Sequence, residues 1–253
     1  MFNISDIRNI HLFGIPLFDT QGNPFSDALL QSYLDSAIAW AEQTLNICIY
    51  PRDEEETHDY FRSDYQNWAY LKLWKKPVLS VESLELYYGE RPMMKIPNNW
   101  IKIDTLGGAI QLFPSSGTAG SLIIGQGGGL FLPIMSGTIG YAPQLWKIKY
   151  KAGMNEPNPA EKIYRRTDIH PNLKEVIYKK AGAAIMTVWG DLIIGAGIAN
   201  QSISIDGLSQ SIGTTQSAMF GGASARIKQM LDDIDNMMPA LKSYYSGIEL
   251  GVV

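Results

Sequence analysis

The sequence predicts an α+β protein: a small bundle of three main helices with a β-rich, antiparallel insertion and long glycine-rich loops. Apolar residues recur at three- and four-residue spacing in three separate stretches, near 26–46, 171–193 and 223–245. Between the first two, the period changes to two in short runs bounded by turn residues. Successive short strands with tight connections favour antiparallel pairing over parallel strands linked by helices.

The first helix reads SDALLQSYLDSAIAWAEQTLN, with Leu30, Leu34, Ala37, Ile38, Ala41 and Leu45 on one face. Ser26 suits the N-cap, and Asp27 in the first turn suits the helix dipole. Four strands follow, over 77–89, 99–104, 108–114 and 145–153. The second helix opens at Pro171, where a missing N–H is tolerated. Leu173, Val176, Ile177, Ala181, Ala184, Ile185 and Val188 form its stripe, and Ala181–Ala184 makes a small-residue belt that permits close approach of another helix. In the third helix Ile227, Met230, Leu231, Ile234, Met237, Met238, Leu241 and Tyr245 keep the period, and Pro239 is expected to kink or split it. No repeat at a fixed period occurs.

Two long segments, 117–144 and 195–222, read as loops rich in small residues, of the kind that serve function or fold on a partner. The expected division is an N-terminal arm over 1–25, a helical core over 26–50 and 145–245, a β-rich insertion over 51–144 containing the glycine-rich arm 117–144, and a short apolar tail over 246–253.

The 253 residues are enough to bury a real core, and 45% hydrophobic with 18% charged residues is a globular composition. The formal net charge of −4, without a long basic block, disfavours strong binding to nucleic-acid phosphates. Cys48 is the only cysteine; it sits among apolar neighbours as an inert thiol, which excludes an intrachain disulfide and a cysteine-rich zinc site. The N-terminus does not read as a signal peptide, and no run of about 18 apolar residues suggests a spanning helix, so a cytosolic origin without membrane insertion is expected.

Candidate chemistry is sparse. GQGGG at 125–129 lacks the following helix and the lysine that a phosphate loop needs. DEEETHD at 53–59 reads as a solvated acidic loop, since no tight glycine turn wraps its oxygens around a cation. His11, His58 and His170 are dispersed, with His170 expected at a helix start, and no nucleophile elbow surrounds the serines of DGLSQS. Trp68, Tyr70, Trp74, Tyr87, Tyr88 and Trp100 have the chemistry to stack sugars or bases, but their spacing suits core and strand faces. No catalytic, cofactor-binding or metal-binding residue is assigned, and no enzymatic activity is expected. Two alternatives stay open: a β-rich carbohydrate-binding or tail-associated module using Trp68, Trp74 and Trp100, and a hydrolase with dispersed catalytic residues.

The helix DALLQSYLDSAIAWAEQTLNICI, the strand end WKIKYKAG and the helix IHPNLKEVIYKKAGAAIM resemble, in this order, the head-to-tail connector (adaptor) proteins of tailed bacteriophages. The matching positions are Tyr150 and Gly153 at the strand end, then Pro171, Leu173 and Lys174. The likeness covers 26–50 and 145–193 and, more weakly, the last helix; the segments 51–144 and 194–222 are additional to it. The resemblance implies a structural protein of the virion neck, assembled in the host cytoplasm. It implies a ring, commonly of twelve copies, below the portal, docking tail, stopper or neck proteins and passing double-stranded DNA without sequence-specific binding. It also implies that Ile123, Ile124, Leu130, Phe131, Leu132, Ile134, Met135 and Ile139 of the arm contact portal or subunit surfaces, as do Ile248, Leu250, Val252 and Val253 of the tail.

Overall fold

A computed structural model of the chain describes residues 1–61, 63, 71–112, 140–158, 160, 165–194, 200–205, 208–213 and 223–246. The fold is α+β, as expected, with four α-helices and antiparallel sheets among the described residues. The chain divides into two compact units, one of residues 1–44 and 170–242, the other of 45–169 and 243–253. Among the described residues no helix is long and apolar enough to cross a membrane.

The first unit is helical. A short helix, α1 (Ile4–Asp6), runs into a π-helical turn, Ile7–His11, so the stretch expected as an arm carries structure of its own. Ile7 and Leu12 are buried, and the Tyr178 hydroxyl accepts the Asn3 N–H at 2.9 Å and donates to Asp6 Oδ2 at 2.8 Å. Helix α2 (Asp27–Leu45) buries the predicted Leu30, Leu34, Ala37, Ile38 and Ala41. Ser26 caps it, its hydroxyl accepting the Leu29 N–H at 3.2 Å, and Arg8 donates to Asp27 in the first turn at 2.7 Å.

Helix α3 (Pro171–Ile194) begins where expected, because His170 supplies the acceptors its first turn lacks. The His170 carbonyl takes the N–H groups of Leu173 and Lys174, and Nδ1 takes that of Asn172 at 3.1 Å. The small-residue belt is a docking groove: a Cβ at Gly182 meets Met230 at 3.5 Å and Leu12 at 3.6 Å, ordinary contact distances. Helix α4 (Ser224–Ser246) runs unbroken through Pro239, so the expected split does not occur. A proline removes one ladder bond, and the buried residues before and after it, Met238 and Leu241, keep both halves packed. Within 195–222, expected as loop, a hairpin of β8 (Asn200–Ile205) and β9 (Leu208–Gly213) forms instead. Ser/Ile alternation in these two stretches is the period-two signal.

The second unit is built on sheets. β1 (Arg52–Phe61), β7 (Tyr141–Ala152), β3 (Val78–Tyr88) and β4 (Arg91–Lys95) form an antiparallel sheet in the order β1-β7-β3-β4. β2 (Leu71–Lys72), β6 (Ala109–Leu112) and β5 (Ile101–Asp104) form a second, in the order β2-β6-β5. Their shared core holds Tyr60, Leu84, Leu86, Trp100, Ile110, Trp146, Ile148 and Tyr150. β7 is the long strand expected at 145–153, extended to Tyr141, and its pairing with β1 and β3 puts it in the sheet unit instead of with the helices.

The acidic run 53–59, expected as a loop, is the body of β1. Glu55 stands opposite Lys149 and Asp53 opposite Lys151, with Lys147 Nζ 2.7 Å from Glu55. Cross-strand lysines at every second position make the acidic strand a favourable partner on the solvent face. β7 ends at Gly153, with φ +132°, where an added Cβ meets the Pro51 backbone at 2.6 Å. Only glycine fits there, the physical reason the strand stops as Tyr-x-x-Gly.

Candidate functional site

Two features of the sheet unit adjoin at the end of β1: a buried polar cluster and an exposed aromatic depression. Along β1 the inward positions are Glu56 and Tyr60, and Glu56 is buried at 3% exposure. Its carboxylate accepts the Trp74 N–H at 3.1 Å and the Tyr150 hydroxyl, and lies 2.7 Å from His58 Nε2. The Tyr150 oxygen in turn accepts the Lys75 N–H at 3.1 Å. Burial pushes the Glu56 carboxyl up, but the bonds from His58, Tyr150 and Trp74 outweigh it and hold the group below its ordinary value. Burial first, and the Glu56 bond second, push the Tyr150 phenol far up. A carboxylate with both oxygens engaged joins β1, β7 and the 74–75 turn; it is a structural tie, not a poised general base.

Above this tie the β1–β7 register shifts between His58, opposite Trp146, and Tyr60, opposite Ala142. The extra residues lie on β7 and include Pro143, which has no N–H for the ladder. Gln144 adopts φ 48° there, its N–H donating to Asp59 Oδ1 at 2.7 Å, while the Tyr141 hydroxyl donates to Asp59 Oδ2 at 3.2 Å. The bulge turns rings outward. Phe61, whose ring lies 5.2 Å from that of Tyr141, and His58 and Trp74, 5.4 Å apart, line a shallow depression of about 460 Å³ together with Thr57, Asp59, Leu71, Lys72 and Gln144. Phe61, Tyr141 and Trp74 are 47%, 52% and 62% exposed.

A smaller polar cleft lies in the helical unit. Lys179 bridges Asp233 at 2.6 Å and Glu175 at 3.3 Å, and His11 stacks on Tyr178 at 4.7 Å. Burial lowers the His11 pKa, opposed by the Glu175 and Asp6 carboxylates.

Of the aromatics singled out in the sequence, Trp74 lines the depression and Tyr87 lies under the Lys147 ammonium at 5.2 Å. Trp100 is buried in the core and presents no stacking face. Tyr88 pairs in β3, and its side chain, like Trp68 and Tyr70, lies outside the described residues. So do the candidate contacts Ile123, Ile124, Leu130, Phe131, Leu132, Ile134, Met135, Ile139, Ile248, Leu250, Val252 and Val253, and the GQGGG cluster. Cys48 is buried, with Sγ 3.2 Å from the Tyr50 carbonyl oxygen. Among the described residues no three His, Cys, Asp or Glu side chains are placed to hold a metal ion. Phe61, Tyr141 and the Glu56 tie were missed in the sequence; the alternation of Glu54, Glu56, His58 and Tyr60 was the available signal.

No family model matches the chain, and no curated protein matches it. Solved structures show looser likenesses. A chain from the neck of an empty GTA particle, computed with C6 symmetry, is 19% identical, with a TM-score of 0.40, over 72% of this chain and 76% of that one. A chain from the virion of a native gene transfer agent (GTA) particle is 16% identical, with a TM-score of 0.43, over 72% and 76%. A third, from the neck of a native GTA particle computed with C12 symmetry, is 17% identical, with a TM-score of 0.37, over 81% and 82%. Likenesses of this degree are too loose to carry a function across.

Proposed function

We propose that this chain is a structural protein of a phage-type virion neck, a head-to-tail connector that assembles as a closed ring of twelve copies against the portal. The cluster of exposed aromatic rings carries this reading: Phe61, Trp74 and Tyr141 stand together on one end of the sheet unit, where a free monomer gains nothing from exposing them. A closed ring needs two different surfaces on every copy, each buried only on assembly. The sequence resemblance at Tyr150, Gly153, Pro171, Leu173 and Lys174 supports the same reading.

In that role the helical unit forms the framework and the sheet unit projects contact surfaces. The part of the glycine-rich arm that precedes β7, residues 117–140, and the tail, residues 246–253, reach the neighbour or the portal; the opposite ring face docks tail, stopper or neck proteins. Double-stranded DNA passes through the lumen, and the formal net charge of −4 suits a conduit that does not hold phosphates. Glu56, the buried carboxylate nearest an exposed depression, is saturated with donors, which weighs against hydrolysis there.

Sedimentation of the protein alone and mixed with portal rings from the same particle tests the proposal. A heavy complex of fixed stoichiometry, formed only in the mixture, is expected. Independent sedimentation of the two over a wide concentration range would overturn it.

A further inference from the structure

The large apolar side chains that face solvent concentrate in two places. Phe13, Ile10 and Trp74 are the most exposed among the described residues, at 77%, 65% and 62%. Trp74 belongs to the aromatic end of the sheet unit, while Ile10 and Phe13 stand three residues apart on the N-terminal turn of the helical unit.

That turn is firmly held. Ile7 and Leu12, on either side of Ile10 in the sequence, are buried. Arg8 donates to the Phe25 carbonyl oxygen and to Asp27, each at 2.7 Å, and Arg226 of α4 donates to the His11 carbonyl oxygen at 3.0 Å. Tyr178 of α3 holds Asn3 and Asp6. A π-helical turn is rare and is found disproportionately at functional sites. Here it presents Ile10 and Phe13 to water from a fixed frame, a preorganised patch that pays little ordering entropy on contact.

The two patches also have compatible rims. Beside Ile10 lies the cleft of about 270 Å³, lined by Arg226, Gln229 and Asp233 among others. Arg226 spends one nitrogen on His11, and its remaining N–H groups meet no acceptor among the described residues. At the depression, Asp59 accepts from Tyr141 and Gln144, which leaves lone pairs open on a group with about four acceptor sites. Each rim carries both signs, Asp59 and Lys72 at the depression, Arg226 and Asp233 at the cleft. Opposite charges can therefore face each other in one relative orientation of two copies, which fixes register.

We propose, resting on the ring reading above, that the Ile10–Phe13 patch of one copy docks on the Phe61–Trp74 depression of the next. Phe13 and Ile10 pack against the rings, and Arg226 meets Asp59 at the edge. Each copy then presents one patch and receives one, the unlike pair of surfaces that a closed ring requires; self-pairing of either patch would stop at a dimer. These side chains are the anchors of a larger contact, since a stable interface covers roughly 800 Å² per partner while a few central residues carry most of the binding energy.

Bismaleimide cross-linking of portal-bound rings tests this, because the native Cys48 is buried. One preparation carries Phe13→Cys and a second Trp74→Cys; the two are mixed, assembled on portal rings and treated with a short bismaleimide. Cross-linked dimers combining the two preparations, at least about tenfold above either alone, are expected. Ile10→Cys with Phe61→Cys serves as an independent second pair, and all four positions are exposed enough to tolerate the change. Rings that assemble normally and give no mixed dimer from either pair would overturn the contact and leave the ring reading intact. Dimers formed equally well by Phe13→Cys chains alone would also overturn it, by pairing the patch with itself. In a second measurement, Phe13→Asp should lower ring assembly at least about tenfold with an unchanged thermal unfolding midpoint; assembly at the wild-type level would overturn the inference. Wild-type chains that form no ring on the portal would remove the ring reading itself, and this inference with it.

Discussion

The Tyr150 hydroxyl donates to Glu56 Oε1 inside the sheet unit and accepts the Lys75 N–H at 3.1 Å, so one phenol joins β7, β1 and the turn after β2. Tyr150→Phe keeps the ring and removes both bonds, leaving the buried Glu56 carboxylate to His58 and the Trp74 N–H alone and the Lys75 N–H without this acceptor. A loss of about 1–3 kcal/mol is expected in denaturant unfolding, with the slope unchanged. A loss near zero would mean that the tie does not hold the sheet.

The same carboxylate sets a pH dependence. The folded-state pKa of Glu56 is lowered, so its contribution is fully present above the ordinary glutamate value of about 4.3 and is lost as pH falls toward the lower folded value. Wild-type stability should therefore fall on acidification below about pH 4.3 more steeply than that of Glu56→Gln, measured by thermal melts across pH 3–6. Parallel curves would contradict the assignment.

Two glycines should behave oppositely. Gly153→Ala forces a side chain into φ +132° and against the Pro51 backbone, with an expected loss of at least about 1–3 kcal/mol. Gly182→Ala, mid-helix with its nearest neighbours at 3.5 Å, should be neutral or stabilise by up to about 1 kcal/mol. Thermal denaturation of both variants checks the pair.

On the solvent face, Glu55→Ala should cost little stability, and less again at high salt, although two lysines contact it. A larger cost in denaturant unfolding would show that the charge ladder, and not the buried face, holds β1 to β7.

The helices were legible in the sequence because each buries one continuous stripe, as Leu30, Leu34, Ala37 and Ala41 do, and because Ser26, His170 and Pro171 mark where helices start. β1 was not legible as a strand. Its acidic residues resemble a solvated loop until Lys147, Lys149 and Lys151, almost a hundred residues away, are placed opposite them. The aromatic depression was hidden for the same reason: Phe61 and Tyr141 become neighbours only through the β1–β7 register. Pro239 does not split its helix, because packing on both sides of the one lost bond holds the two halves.

Electron microscopy of the protein mixed with portal rings tests the central claim most directly. The account predicts closed rings of this chain stacked on one face of each portal, coaxial with its channel. Portals that remain bare, beside free monomers at saturating concentration, would contradict it.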